Sequence, residues 1–109
     1  MRAMEVYRSG IFAGTLIEEN RNQYVFMYDD FYFTDINKPA ISLTLPKTKK
    51  EYRSEFLFPF FSNILSEGVN RKLQSSLLHI DEEDEFGLLM ATAQNDTIGV
   101  ITVKPISTK

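Results

Sequence analysis

The chain has no cysteine, a single histidine, five scattered glycines and no long apolar run, and each shortage removes a class of function. Without cysteine there is no disulfide framework, no thiol nucleophile and no thiolate metal site, a composition that fits a reducing compartment. His79 alone cannot build a two-histidine metal site, and no spacing suggests a Ser-His-acid set. Beside Leu77, Leu78 and Ile80 it reads as a helix-end residue in preference to a general base. Gly10, Gly14, Gly68, Gly87 and Gly99 form neither a GxGxxG nor a GxxxxGK[ST] phosphate cradle. No apolar run approaches the roughly 18 residues of a spanning helix, and the opening MRAMEVYRSG lacks the apolar centre of a signal peptide. The expectation is a cytoplasmic protein that is not an enzyme, with no cofactor and no metal.

What is present supports a packed core. The 109 residues are 43% hydrophobic and include nine Phe and five Tyr, enough for a single domain over residues 1–109 without staples. The net charge of −3 has the wrong sign for gripping phosphate backbones by counterion release. Charge is nonetheless segregated: Lys47, Lys49, Lys50 and Arg53 cluster before the midpoint, and Asp81 to Glu85 run together later. The basic run reads as a solvated loop, with contact to nucleic acid or to an acidic partner as the lesser reading. The acidic run lacks the pattern of a calcium loop, and helix capping accounts for it.

The hydrophobic period changes along the chain. Two β-rich runs flank Ser9-Gly10, a tight hairpin turn, and the second, from Ile11 to Glu18, meets the turn-forming cluster Asn20-Arg21-Asn22. In QYVFMYDD, Tyr24, Phe26 and Tyr28 oppose Val25, Met27 and Asp29, which predicts a central strand. Asp35 to Pro39 reads as loop, Ala40 to Leu45 alternates with period two and reads as the clearest strand, and Lys47 to Arg53 reads as a polar connection. From Glu55 the period becomes helical, with Leu57, Phe60, Phe61, Ile64 and Leu65 on one face, Pro59 in the first turn and Gly68 as the stop. Val69 to Leu78 predicts a second helix, Asp81 the cap of a third that carries Phe86, Leu88, Leu89, Met90 and Ala93, and Thr97 to Val103 a closing strand ended by Pro105. The class is α+β: a small, mostly antiparallel sheet of about five strands with two to three helices packed on one side.

Most of the rings in Phe31-Tyr32-Phe33 and in Phe56, Phe58, Phe60 and Phe61 fill the core under this reading. Successive helical residues turn by about 100°, so Phe56, Leu57, Phe58, Phe60 and Phe61 cannot all face inward, and some aromatic surface is expected at a protein interface.

Several spaced groups stand out together: Val6-Tyr7 with Gly10, Gly14-Thr15-Leu16, Ala40-Ile41-Ser42-Leu43-Thr44-Leu45-Pro46, Phe60-Phe61-x-Asn63-Ile64-Leu65-x-Glu67-Gly68-x-x-Arg71, Phe86-Gly87-Leu88-Leu89, and Asp96 with Gly99. In this order they resemble the N-terminal subdomain of HipA-type serine/threonine kinase toxins. In that family the long motif reads FFxNLLPEGxxR, and here Ser66 stands for the proline and Ile64 for one leucine. The ATP-binding and catalytic segments of a full kinase are not among these residues. The resemblance therefore implies a stand-alone protein of the HipS kind, which binds and neutralises a HipA-like kinase lacking its own N-terminal subdomain, while a helix-turn-helix protein handles DNA, in a tripartite toxin–antitoxin system. The alternative is a structural subunit that completes a split kinase and supports its activity. The expected contact residues are Lys47, Lys49, Arg53, Phe56, Phe58, Phe61, Asn63, Glu67 and Arg71. Asn63 and Glu67, four apart, share a helix face, and with Arg71 they either touch the kinase or brace the two helices.

Overall fold

In the computed structural model the described residues are 2–62, 84–92 and 101–106, without the side chains of 91 and 92. The chain opens with a hairpin, β1 (Arg2–Arg8) and β2 (Ile11–Asn20), joined at Ser9-Gly10. Both turn residues have positive φ, 52° at Ser9 and 79° at Gly10, as a two-residue turn matched to the strand twist requires. Val6 pairs with Gly14 and Tyr7 with Phe12, so Ala13 is an extra residue that bulges β2. The Asn22 N–H donates to Asn20 Oδ1 at 2.9 Å and turns the chain into β3 (Gln23–Tyr28).

The expected strand, whose alternation runs to Asp29, stops one residue short, at Tyr28. Asp29 accepts the Tyr32 N–H and N-caps α1 (Asp30–Thr34), so the paired aspartates spell a helix start. A larger correction follows. Ala40 to Leu45 is loop, and the fourth strand is β4 (Glu51–Ser54), inside the stretch read as a connection. Tyr52 and Ser54 alternate with Glu51 and Arg53, a period-two signal too short to stand out beside four charged neighbours. Next comes a helical turn at 59–62, with Pro59 first as expected and the Phe58 carbonyl accepting the Phe61 and Ser62 N–H groups. It starts later than Glu55. The remainder of that helix, the Gly68 stop and the helix from Val69 to Leu78 lie outside the described residues.

The last elements are α2 (Glu85–Thr92) and β5 (Ile101–Pro105). The cap of α2 is Asp84, whose Oδ1 accepts the Gly87 N–H at 3.1 Å, and not Asp81, which lies outside the described residues. The fully antiparallel sheet has the order β4-β3-β2-β1-β5, which makes β3 an inner strand as expected.

The core lies on one sheet face. Met4, Val6, Leu16, Phe26, Tyr28 and Val103 meet Tyr32 from α1, Phe58 and Phe61 from the turn at 59–62, and Phe86, Leu88 and Leu89 from α2. Each large apolar side chain buried this way contributes about 1.5–3 kcal/mol of transfer free energy. Space for the rings comes from Gly14: a Cβ there would lie 2.9 Å from Cζ of Phe26, which packs edge-on to Tyr28 with centroids 4.9 Å apart. The opposite face carries Glu5, Thr15, Met27 and Glu51 in one cross-strand row.

One end of the sheet is closed by a polar row. Arg2 Nε donates to Glu18 at 2.8 Å, Tyr24 donates to the other Glu18 oxygen at 3.1 Å, and the Arg2 guanidinium forks onto both Asp84 oxygens at 2.8 and 3.1 Å. The same guanidinium lies 5.2 Å from the Phe86 ring centroid. Glu18, 9% exposed, is the buried charged residue among those described, and this pairing makes its burial tolerable. Desolvation, followed by the Glu18 hydrogen bond, pushes the Tyr24 hydroxyl up to about 12.

The fork from Arg2, with the Gly87 N–H, holds the Asp84 carboxyl below the usual carboxylate range. A depressed folded value means that this stabilisation is complete above the unfolded value of about 4 and is lost as pH falls through that range toward the folded value. Denaturant unfolding of the wild type should therefore weaken steeply below about pH 4, and Asp84→Asn should be less stable at pH 7 with a flatter acid limb. Gly14→Ala, whose Cβ would lie 2.4 Å from the Met27 carbonyl oxygen and 2.9 Å from the Phe26 ring, should lower stability by about 1–3 kcal/mol in the same titration.

Candidate partner-binding surface

The loop between α1 and β4 carries no regular structure, so its backbone groups need other partners. Three tyrosines supply them from below. Tyr32 donates to the Pro39 carbonyl at 2.7 Å, Tyr52 to the Pro46 carbonyl at 2.5 Å, and Tyr28 to the Leu45 carbonyl while accepting the Ile41 N–H at 3.1 Å. Tyr28 and Tyr32 stack nearly parallel with centroids 6.1 Å apart. Desolvation pushes the Tyr28 hydroxyl up to about 12, so it stays a donor across the physiological range.

Lys47, expected to meet a partner, is turned inward. Its ammonium donates to the carbonyls of Asp35 at 2.6 Å and Lys38 at 2.7 Å and sits 5.1 Å from the Tyr32 ring centroid. The reason is local: an irregular loop leaves carbonyls that a four-carbon stem can reach. The other basic residues are engaged as well. Lys49 lies 5.1 Å from the Tyr52 ring centroid, Lys50 pairs with Asp30, and Arg53 pairs with Glu51 at 2.7 Å and Glu19 at 3.4 Å. The positive run is thus distributed among internal contacts.

The aromatics divide sharply. Phe56 is 77% exposed, as expected of an interface ring. Phe58 and Phe61 are not surface residues: they are 7% and 0% exposed, 6.4 Å apart, with Phe61 also 5.9 Å from Phe26. The late start at Pro59 moves Phe56 out of the helix and points Phe58 and Phe61 into the core. Asn63, Glu67 and Arg71 lie outside the described residues.

Sequence reasoning missed a second set of exposed apolar side chains. Phe31 on α1 is 84% exposed, Ile36 in the following turn 95% and Leu43 100%. In Leu43 the period-two pattern itself misled, because Ile41 and Leu45 on either side of it are buried. The usable sign is the position of Phe31 directly after Asp29 and Asp30, where a helix cap places it in the first turn of α1. Among the described residues no group of three or more His, Cys, Asp or Glu is placed to hold a metal ion. No described helix is long and apolar enough to cross a membrane.

The HipA N-terminal domain family matches residues 4–104. The chain belongs to that family. The architecture agrees: a solved structure titled "N-terminal domain of HipA toxin" superposes with a TM-score of 0.69 at 24% identity, covering 100% of this chain and 96% of the other. An uncharacterised protein of Haemophilus influenzae is 28% identical over 104 residues, 95% of this chain and 92% of that protein. Two Sinorhizobium fredii proteins are named "Putative kinase Y4mE", 24% identical over 105 residues, and "Putative kinase Y4dM", 31% identical over 97. The matches cover 96% and 84% of this chain but only 25% and 24% of those proteins, so the chain spans about a quarter of their length.

Tyr28→Phe removes one hydroxyl and leaves both the Leu45 carbonyl and the Ile41 N–H without a partner. The expected cost is about 1–3 kcal/mol, with hydrogen exchange accelerating at 41–45 while β1 and β2 keep their protection.

Proposed function

We propose that this chain is a non-catalytic binding module that engages a HipA-like serine/threonine kinase in trans and neutralises it, as the antitoxin of a toxin–antitoxin system. The observation that carries the reading is a contrast in size among relatives. The same fold is about a quarter of two proteins named as kinases, yet nearly the whole of the Haemophilus protein. A domain that lives within a kinase in some chains and almost alone in others is suited to binding the kinase from outside. The partner is a kinase lacking its own copy of this domain, with a helix-turn-helix protein as the DNA-binding member of a ternary complex. Direct nucleic-acid contact is disfavoured by the net charge of −3 and by the pairing of Lys50 and Arg53 with carboxylates.

A second reading has its own support: within the kinase-named relatives the domain is part of the kinase chain, so it could complete a split kinase and sustain its activity. Both readings require a complex, and they differ in its consequence. Co-expression with a HipA-like kinase that lacks its own N-terminal domain should relieve growth arrest, and the kinase's autophosphorylation should fall when the purified chain is added. Stimulated autophosphorylation would favour completion; unrelieved arrest with no recoverable complex would dismiss both.

A further inference from the structure

The segment Ala40 to Pro46 holds a contradiction that the fold alone does not resolve. In a strand, residues 41, 43 and 45 share one face. Here Ile41 is 6% exposed and Leu45 2%, yet Leu43 between them is 100% exposed. A tight turn causes the reversal: the Leu45 N–H donates to the Ser42 carbonyl at 3.1 Å and the Thr44 N–H to Ser42 Oγ at 3.2 Å. Both flanks of this turn are fastened to the core through the Tyr28 hydroxyl, and the chain just before and after is held by Tyr32 and Tyr52. Leu43 is held out in water by a fixed backbone.

Ile36 is mounted the same way. Asp35 accepts the Asn37 N–H on its side chain at 2.9 Å and the Lys38 N–H on its carbonyl at 3.1 Å, and Lys47 clamps the Asp35 and Lys38 carbonyls from inside. Phe31 projects from α1, whose neighbouring residue Tyr32 is buried. An apolar side chain left in water contributes nothing to folding. Held rigidly, it docks at little cost in conformational entropy, which is how binding anchors work.

We infer that Phe31, Ile36 and Leu43 form the surface by which this chain docks into an apolar recess on the kinase body. The inference rests on the reading that the chain binds a HipA-like kinase. Two observations select that occupant. In the kinase-named relatives about three quarters of the chain lies beyond this domain, so a large protein body is the regular companion of this fold. The rim is also charge-paired, Lys38 with Asp35 at 3.3 Å and Lys50 with Asp30, which suits an apolar protein recess better than phosphates or an acidic peptide.

The test is calorimetric titration of the purified full chain with a purified HipA-like kinase that lacks its own N-terminal domain. The double variant Ile36→Ser with Leu43→Ser should keep the wild-type Tm, because both positions are solvated, and should bind at least about thirtyfold more weakly. Lys104→Ser, on the exposed face of β5 at the sheet edge opposite β4, should change affinity less than about threefold. If the wild type binds and the double variant binds equally well, the docking face is wrong while the kinase reading stands. If the wild type does not bind at all, the kinase reading and the inference fall together. If light scattering shows a dimer of this chain that Leu43→Ser converts to monomer, the occupant is a second copy and the inference is overturned.

Discussion

A single phenolic hydroxyl governs the loop between α1 and β4. Tyr28, 1% exposed, accepts the Ile41 N–H and donates to the Leu45 carbonyl, joining the end of β3 to both sides of the turn that carries Leu43. Buried backbone groups without partners are costly, so a loop crossing the core edge needs such a group or must leave the core. Tyr28 meets the need from within the sheet, and its ring stacks on Tyr32, which fastens the preceding carbonyl. Gly14, opposite Tyr28 in the ladder and with no side chain of its own, leaves the volume that the Phe26 ring occupies, and Phe26 packs edge-on to Tyr28. A glycine on β2 therefore bears on a loop distant in sequence.

The other end of the sheet solves a similar problem with charge. Arg2, Glu18 and Tyr24 form one row across β1, β2 and β3, and Asp84 brings the start of α2 onto that row. A short helix has little intrinsic stability and depends on its cap and on packing. Here the cap residue is also the acid that Arg2 grips, so closing the helix and closing the sheet end are one event. Phe86, 1% exposed beneath the Arg2 guanidinium, links that event to the core.

The hairpin, the inner position of β3, Pro59 at a helix start and the final strand were legible because each rests on local chemistry: turn residues with positive φ, alternating rings, a missing N–H. Ala40 to Leu45 was not. Its alternation is real, but Ile41 and Leu45 are anchors at the two ends of a turn, and a pattern of burial cannot tell a strand from a loop pinned at alternate residues. β4 was hidden for the converse reason, since an edge strand of four residues with Glu51 and Arg53 outward looks like a charged connection. α1 was hidden in its aromatic run, with only Asp29 to mark its start.

The same difficulty shaped the reading of the binding surface. A lysine cluster in a sequence advertises charge, but whether that charge reaches a partner depends on which carbonyls, rings and carboxylates the fold places near it. Lys47 has two carbonyls and a ring, Lys49 a ring, Lys50 and Arg53 carboxylates. Each would have to give up an internal contact to serve a partner, at a cost comparable to what an exposed ion pair returns. An exposed leucine has nothing to give up. Leu43 leaves only water when it enters a recess, and its backbone is already fixed, so nearly all of the transfer free energy of the side chain is available for binding. On the docking face proposed above, affinity would therefore come from the apolar residues, with the neighbouring charges setting the shape of the loop that presents them.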